Sequence, residues 1–95
     1  MSNETFVIAV SGNGMKNAGI SDGDLVRFKR AERAKDGDIV CARIGRRHTV
    51  SRYREVGGEI CLYSETDEPN HAPFVRVVPS KLTIFGIFQK VIKWI

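Results

Sequence analysis

Short apolar runs closed off by glycine- and aspartate-containing turns limit how this chain can fold more than any other feature of its sequence. Turns of this composition stand at Ser21–Asp24 and Lys35–Asp38, and a glycine pair stands at Gly57–Gly58. Glycine supplies the positive φ, and aspartate the side-chain acceptor, that tight turns need. The runs between these turns have the length of β-strands. The sequence therefore predicts an all-β domain of mostly antiparallel strands and hairpins.

The turns divide the chain into seven predicted strands. These are Phe6–Val10, Leu25–Lys29, Ile39–Ile44, Thr49–Arg54, Glu59–Tyr63, Phe74–Val78 and Leu82–Ile95. Gly45–Arg47 is predicted to be a hairpin tip, and Ser64–Pro73 a polar loop. Gly12 and Gly14 are predicted to let the backbone turn tightly before a short helical turn over Met15–Asn17.

Length and composition indicate one small globular domain. The chain has 95 residues, 42% hydrophobic and 27% charged, and we expect a single domain over residues 1–95. The apolar run Phe6–Val10 is too short for the hydrophobic region of a signal peptide. The run Thr83–Ile95 is interrupted by two lysines and falls below the ~20 residues that span a bilayer. We therefore expect a cytoplasmic protein that does not cross a membrane.

Both cysteines stand inside apolar runs. Cys41 and Cys61 are therefore predicted to be buried thiols that pack as small hydrophobic side chains. A structural disulfide is not expected in a reducing compartment. A zinc site would need these cysteines together with His48 and His71, whose separations match no compact ligand motif. The sequence predicts no metal and no cofactor.

Positive charge is concentrated in the middle of the chain. The net charge is +4, and ten of the fifteen Lys and Arg residues lie within 27–54. The predicted basic patch comprises Arg27, Lys29, Arg30, Arg33, Arg46, Arg47, Arg52 and Arg54. Five acids and no Lys or Arg follow within 55–68. Such an asymmetry can steer nucleic acid, an acidic protein or a second copy of the chain, and a solvated surface without a partner is the alternative.

Several motifs in order along nearly the whole chain resemble the LexA/UmuD family of self-cleaving repressors and SOS proteins. The motifs are Val10-Ser11-Gly12-x-x-Met15-Lys16, Gly19-Ile20-x-Asp22-Gly23-Asp24-Leu25, Gly37-Asp38-Ile39-Val40-x-Ala42-Arg43-Ile44, Thr49-Val50-x-Arg52 and Leu82-Thr83-Ile84-x-Gly86. The resemblance implies a β fold like the LexA and signal-peptidase core. It also implies an active-site segment that includes Ser11, Gly12, Asn13, Met15, Asp22, Gly23 and Asp24.

Both catalytic positions of that family are substituted in this sequence. The family carries its nucleophilic serine where this chain has Gly14, and its lysine base where this chain has Ser51. A serine needs a neighbouring base to take its proton, and a lysine serves as base when burial lowers its pKa. Gly14 offers no hydroxyl and Ser51 offers no amine. We therefore expect a protease fold without protease activity, and no rescue by Ser11 or Lys16.

The last predicted strand is apolar on both faces. Alternation places Phe85, Ile87 and Val91 on one face and Ile84, Phe88, Ile92 and Trp94 on the other. Two apolar faces indicate burial on both sides, and an uncovered apolar edge would invite aggregation. The resemblance implies a homodimer interface along this strand. The alternative is a strand that is simply central in the sheet.

The resemblance also implies function. The repressors of this family carry an N-terminal helix-turn-helix domain and an upstream cleavage segment, neither of which we find in these 95 residues. The favoured hypothesis is an inactive dimerisation and protein-binding module whose partner would be a polymerase or a recombinase filament. The alternatives are the C-terminal domain of a DNA-binding repressor, an autopeptidase disarmed by mutation, and direct nucleic-acid binding through the basic patch.

Overall fold

The computed structural model describes residues 3–92, which form one seven-stranded sheet. The strands are β1 Thr5–Ala9, β2 Leu25–Arg30, β3 Ile39–Ile44, β4 Arg47–Val56, β5 Glu59–Tyr63, β6 Phe74–Val77 and β7 Leu82–Ile92. Every neighbouring pair is antiparallel, in the order β1-β2-β7-β3-β4-β5-β6. Short 3₁₀ turns cover Lys16–Ala18 and Pro79–Lys81. The all-β prediction is confirmed.

The predicted strand positions agree with the structure to within about two residues at most ends, as expected for boundaries read from sequence. The bounds of β3 and β5 are those predicted. β4 is longer than predicted because its hairpins are tighter than expected: Gly45 has φ 58°, and Arg47 is already paired with Ile44. No helix within residues 3–92 has the length and apolar composition needed to cross a membrane.

β7 is an interior strand, as in the alternative that the sequence left open. It is hydrogen-bonded to β2 on one side and to β3 on the other. Side chains on both of its faces pack against the chain's own core. One buried cluster comprises Val10, Met15, Ile20, Val26, Phe28, Ile39 and Cys41, and the other comprises Val40, Ala42, Tyr53, Leu62 and Val77. The central position of this strand therefore accounts for the core contacts of both apolar faces, while their side chains stay partly exposed.

The division of β7 side chains between these clusters also differs from simple alternation. Phe85, Phe88 and Val91 pack against the first cluster, whereas Ile84 and Ile87 pack against the second. The register explains the difference, because β7 carries one extra residue opposite Cys41/Ala42 and another opposite Arg27/Phe28. Each β-bulge interrupts the period of two on which the face prediction depended. Trp94 lies outside the described residues.

Three aromatic rings fill the space between β1, β2 and β7. The Phe28 ring is fully buried, stacks on Phe6 at 5.6 Å between centroids and meets the edge of Phe88 at 6.4 Å. Aromatic pairs of this kind contribute about 0.5–1.5 kcal/mol beyond the area they bury. They fit because Gly86 of β7 has no side chain. A Cβ at that position would lie 2.7 Å from Phe6 Cε1 and 2.8 Å from the Lys29 carbonyl oxygen.

We predict that Gly86→Ala lowers the free energy of unfolding by about 1–3 kcal/mol, the usual cost of overpacking a core. The backbone carbonyl of Lys29 cannot swing aside as a flexible side chain would. Urea unfolding followed by circular dichroism measures the change. Gly14→Ala is the matched control, since its Cβ meets nothing closer than 3.4 Å. Equal losses in the two variants would contradict the assignment of Gly86 as a packing position.

A second prediction concerns alkaline pH. Burial, and after it the Glu55 carboxylate that accepts its hydroxyl hydrogen bond at 2.6 Å, together raise the pKa of Tyr53 from 10.0 to about 12. Because the pKa is higher in the folded state, the neutral Tyr53 side chain stabilises the fold at any pH below its pKa in the unfolded chain. This stabilisation is lost as the pH rises through its pKa in the folded protein. The unfolding free energy of the wild type should therefore fall more between pH 10.0 and pH 12 than that of Tyr53→Phe. Parallel curves for the two proteins would contradict this.

Candidate functional site

Hydrogen bonds close the segment between β1 and β2 into a compact loop. The Val10 N–H donates to the Asp24 carbonyl at 2.9 Å, and the Gly23 N–H donates to the Val10 carbonyl at 2.7 Å. Inside the loop, Asp22 Oδ1 accepts the Gly12 N–H at 2.6 Å, and Asn13 Oδ1 accepts the Asp22 N–H at 2.8 Å. The predicted segment is therefore brought together. Its Asn and Asp side chains accept hydrogen bonds from backbone N–H groups of the loop, as these short polar side chains commonly do in turns.

The two glycines of this loop play different parts. Gly12 has φ 86°, the left-handed conformation that favours glycine. Gly14 also lies in the predicted turn, but it is not among the positive-φ residues, so its backbone conformation is open to any amino acid. A Cβ at Gly14 would lie 3.4 Å from His71 Nδ1 and 3.6 Å from His71 Cε1. A side chain at this position would therefore face the imidazole ring of His71.

The polar loop 64–73 packs on the Gly14 segment through its backbone. The Glu65 N–H donates to the Gly14 carbonyl at 2.8 Å, and the Asn17 N–H donates to the Glu65 carbonyl at 2.7 Å. The Arg52 guanidinium holds the same glutamate by its carboxylate at 2.9 Å and also reaches the Gly37 carbonyl at 2.9 Å. These contacts place His71 over Gly14. Sequence reasoning had assigned this loop no part in the site.

Ser51 is buried, with 5% of its surface exposed, and its hydroxyl lies 2.7 Å from that of Thr49. Tyr53, on the same face of β4, is buried as well, so this face of the strand carries little charge. Thr49 lines the neighbouring cavity, but Ser51 is not among the lining residues. The position expected to hold a base therefore holds a hydroxyl paired with another hydroxyl.

A cavity of about 400 Å³ lies between the Gly14 segment, the start of β4 and loop 64–73. Its polar lining consists of Ser11, Arg47, His48, Thr49, Ser64 and His71. Ile8, Val10, Met15 and Val50 contribute apolar surface. Within residues 3–92, no aspartate or glutamate lines it. The size lies at the lower end of the range for small-ligand pockets.

The two cysteines are free and buried, as predicted. Cys41 borders the cavity, and burial raises its pKa, which keeps the thiol protonated at neutral pH and makes it a poor nucleophile. Cys41, His48 and His71 border the same cavity. In the described part of the chain, however, no three His, Cys, Asp or Glu side chains stand close enough together to hold a metal ion.

The predicted basic patch is divided in space and partly neutralised. Its β2 members are separated from its β4 members by β7 and β3. Arg30 pairs with Glu4 at 3.2 Å, Arg52 with Glu65 at 2.9 Å, and Arg54 with Asp36 at 2.9 Å. The Glu55 backbone N–H and then Arg54 lower the pKa of the Asp36 carboxyl. Sequence order alone could not reveal these pairings, since the partners are far apart along the chain.

The β3–β4 hairpin carries two arginines of this patch. Arg46 and Arg47 are exposed, and neither has an ion-pair partner in the part of the chain that the structure describes. The neighbouring His48 ring stacks on the Phe85 ring with 6.0 Å between centroids. The Arg43 guanidinium carbon lies 5.8 Å from the centroid of the Phe85 ring. This hairpin therefore presents unpaired positive charge at the rim of the cavity.

Comparison with known proteins agrees with this architecture. The profile of the family described as Peptidase S24-like matches residues 1–88. A LexA repressor of Shewanella denitrificans is 37% identical over 89 residues, covering 93% of this chain and 42% of the relative. A LexA repressor of Bordetella pertussis is 39% identical over 82 residues, covering 86% of this chain and 37% of the relative. The chain spans about two fifths of the length of these relatives. It belongs to the LexA/UmuD family of Peptidase S24-like proteins.

Proposed function

We propose that this chain is a catalytically inactive LexA/UmuD-like domain that serves as a dimerisation and protein-binding module in stress (SOS-type) or phage-repressor regulation in the cytoplasm. The observation that carries the proposal is Gly14. Its backbone would accept a serine, yet the residue has no side chain, and His71 faces the space beside it. A nucleophile is therefore missing where no conformational constraint demands its loss.

The other groups near Gly14 support inactivity. Ser51 shares its hydroxyl hydrogen bond with Thr49 and brings no amine. Cys41 is held protonated by burial. Lys16 is exposed, so it lacks the desolvation that turns a lysine into a base at neutral pH. An acyl-transfer site needs a nucleophile and its base together, and removal of both leaves little of the rate.

Self-association through β7 is supported by its half-buried apolar side chains. Ile84, Ile87, Val91 and Ile92 each keep intermediate exposure although the strand is interior. Half-exposed apolar residues on both faces of the strand favour a covering surface, and a second copy of the chain supplies one with the same composition. By family resemblance, the protein partner would be a polymerase or a recombinase filament.

A second candidate is the C-terminal part of a DNA-binding repressor. It is favoured by the relatives, which are LexA repressors, and by the two fifths of their length that this chain covers. In that case DNA binding would reside in a further domain, and this domain would supply dimerisation. A helix-turn-helix encoded in frame upstream of this segment would support this candidate.

We predict that the chain does not cleave a fused N-terminal peptide containing an Ala–Gly bond, even at alkaline pH, because it lacks nucleophile and base. Gly14→Ser combined with Ser51→Lys should restore cleavage, while each single substitution should not. Mass spectrometry of the fusion over time measures the reaction. Cleavage by the unsubstituted chain would overturn the proposed inactivity, and circular dichroism shows whether the double variant is folded.

We predict that light scattering at micromolar concentration gives the mass of a dimer, and that Ile92→Lys shifts it to that of a monomer. A lysine there would bury charge against the second copy, which is unfavourable without a partner. The matched control is Val7→Lys, an exposed position on β1, which should leave the mass unchanged. A monomeric wild type, or an equal effect of both substitutions, would count against the β7 interface.

A further inference from the structure

The cavity beside Gly14 has a charge distribution that the absence of a nucleophile and a base does not explain. Arg47 and His48 from the start of β4 and His71 from loop 64–73 line the same cavity, and within residues 3–92 no carboxylate lines it. The Glu68 carboxylate lies 3.8 Å from His71 Nε2, outside that lining. Cationic and neutral donor groups therefore converge on a space whose lining holds no carboxylate.

The donors around this space can serve an anion together. Arg47 has no ion-pair partner among the described residues, whereas Arg30, Arg52, Arg54 and Arg76 each bind a carboxylate. Guanidinium groups bind carboxylate and phosphate through paired hydrogen bonds of high strength. The hydroxyls of Ser11, Thr49 and Ser64 are further donors in the lining.

Two features hold the site open. The His48 ring is oriented by stacking on Phe85 at an interplanar angle of 22°. Gly14 leaves free the volume that a side chain would fill, directly against the His71 ring. Met15 and Val50 supply apolar surface in the same cavity. The cavity thus combines anion donors with a surface that favours a hydrocarbon group.

We propose that this cleft is an anion-binding pocket that takes a carboxylate or phosphate carried on an apolar stem, with Arg47 as its principal charged contact. The inference rests on the proposed function, because it names what an inactive cleft holds. Binding is measured on the unmodified chain without any cleavage or association assay. Its failure is therefore distinguishable from failure of the proposed inactivity.

The experiment is isothermal titration of the full chain with four probes: phenyl phosphate, benzoate, neutral benzamide and inorganic phosphate. Phenyl phosphate or benzoate should bind at least about tenfold more tightly than benzamide, because one charge-assisted hydrogen bond contributes about that factor. The stronger of these two identifies the anion. Inorganic phosphate should bind more weakly than phenyl phosphate because it lacks the apolar stem.

Arg47→Gln should weaken binding of the preferred anion about tenfold. Arg46→Gln is the matched control, since the residue is adjacent, equally charged and exposed, yet does not line the cavity. Circular dichroism establishes that both variants are folded. Equal weakening by the two substitutions would assign the affinity to the general field of the hairpin and overturn the proposal.

Three other results would also overturn it. Benzamide binding as tightly as benzoate and phenyl phosphate would make the cavity merely apolar. Inorganic phosphate binding as tightly as phenyl phosphate would remove the role of the stem. Absence of binding by both anions at millimolar concentration would mean that Arg47 and the histidines do not act together. A labelled single-stranded oligonucleotide bound with equal dependence on Arg46 and Arg47 would point instead to nucleic acid on the hairpin.

Discussion

β7 lies between β2 and β3, and its hydrogen bonds to both strands make a single sheet out of two groups of strands. The first group contains β1 and β2, with the Phe6–Phe28 stack, and the second contains β3 to β6. The close approach of Gly86 to Phe6 and the Lys29 carbonyl is what lets the two groups meet. The cavity depends on this arrangement, because it is lined by β1 residues from one group and β4 residues from the other.

Local chemistry explains what the sequence could predict. The turns at Gly45 and Gly57 depend on glycine at those positions, which the sequence shows directly. The strand positions could therefore be predicted from the turns. Side-chain faces on β7 could not be read in this way, because its bulges arise from pairing with two other strands. The placement of His71 over Gly14 was equally hidden. It depends on backbone hydrogen bonds of Glu65 with Gly14 and Asn17, which carry no side-chain signature.

The substitution at Gly14 has a different meaning once its conformation is known. A glycine forced by a left-handed backbone would say little about chemistry, whereas Gly14 occupies a conformation open to serine. The hydrogen bonds around it, from the Gly23 N–H to the Val10 carbonyl and from the Glu65 N–H to the Gly14 carbonyl, are present. A nucleophile position that keeps its supporting structure fits a domain retained for binding, with loop 64–73 as part of its surface.

The place of β7 in the strand order has a consequence for synthesis on the ribosome. Of the seven strands within residues 3–92, β7 comes last along the chain and joins the two groups, so the nascent chain exposes the facing edges of β2 and β3 until β7 emerges. Unpaired edges of this kind invite association with other chains. Until its closing strand is available, the emerging polypeptide therefore depends on dilution or on chaperones to keep those two edges apart from other nascent chains.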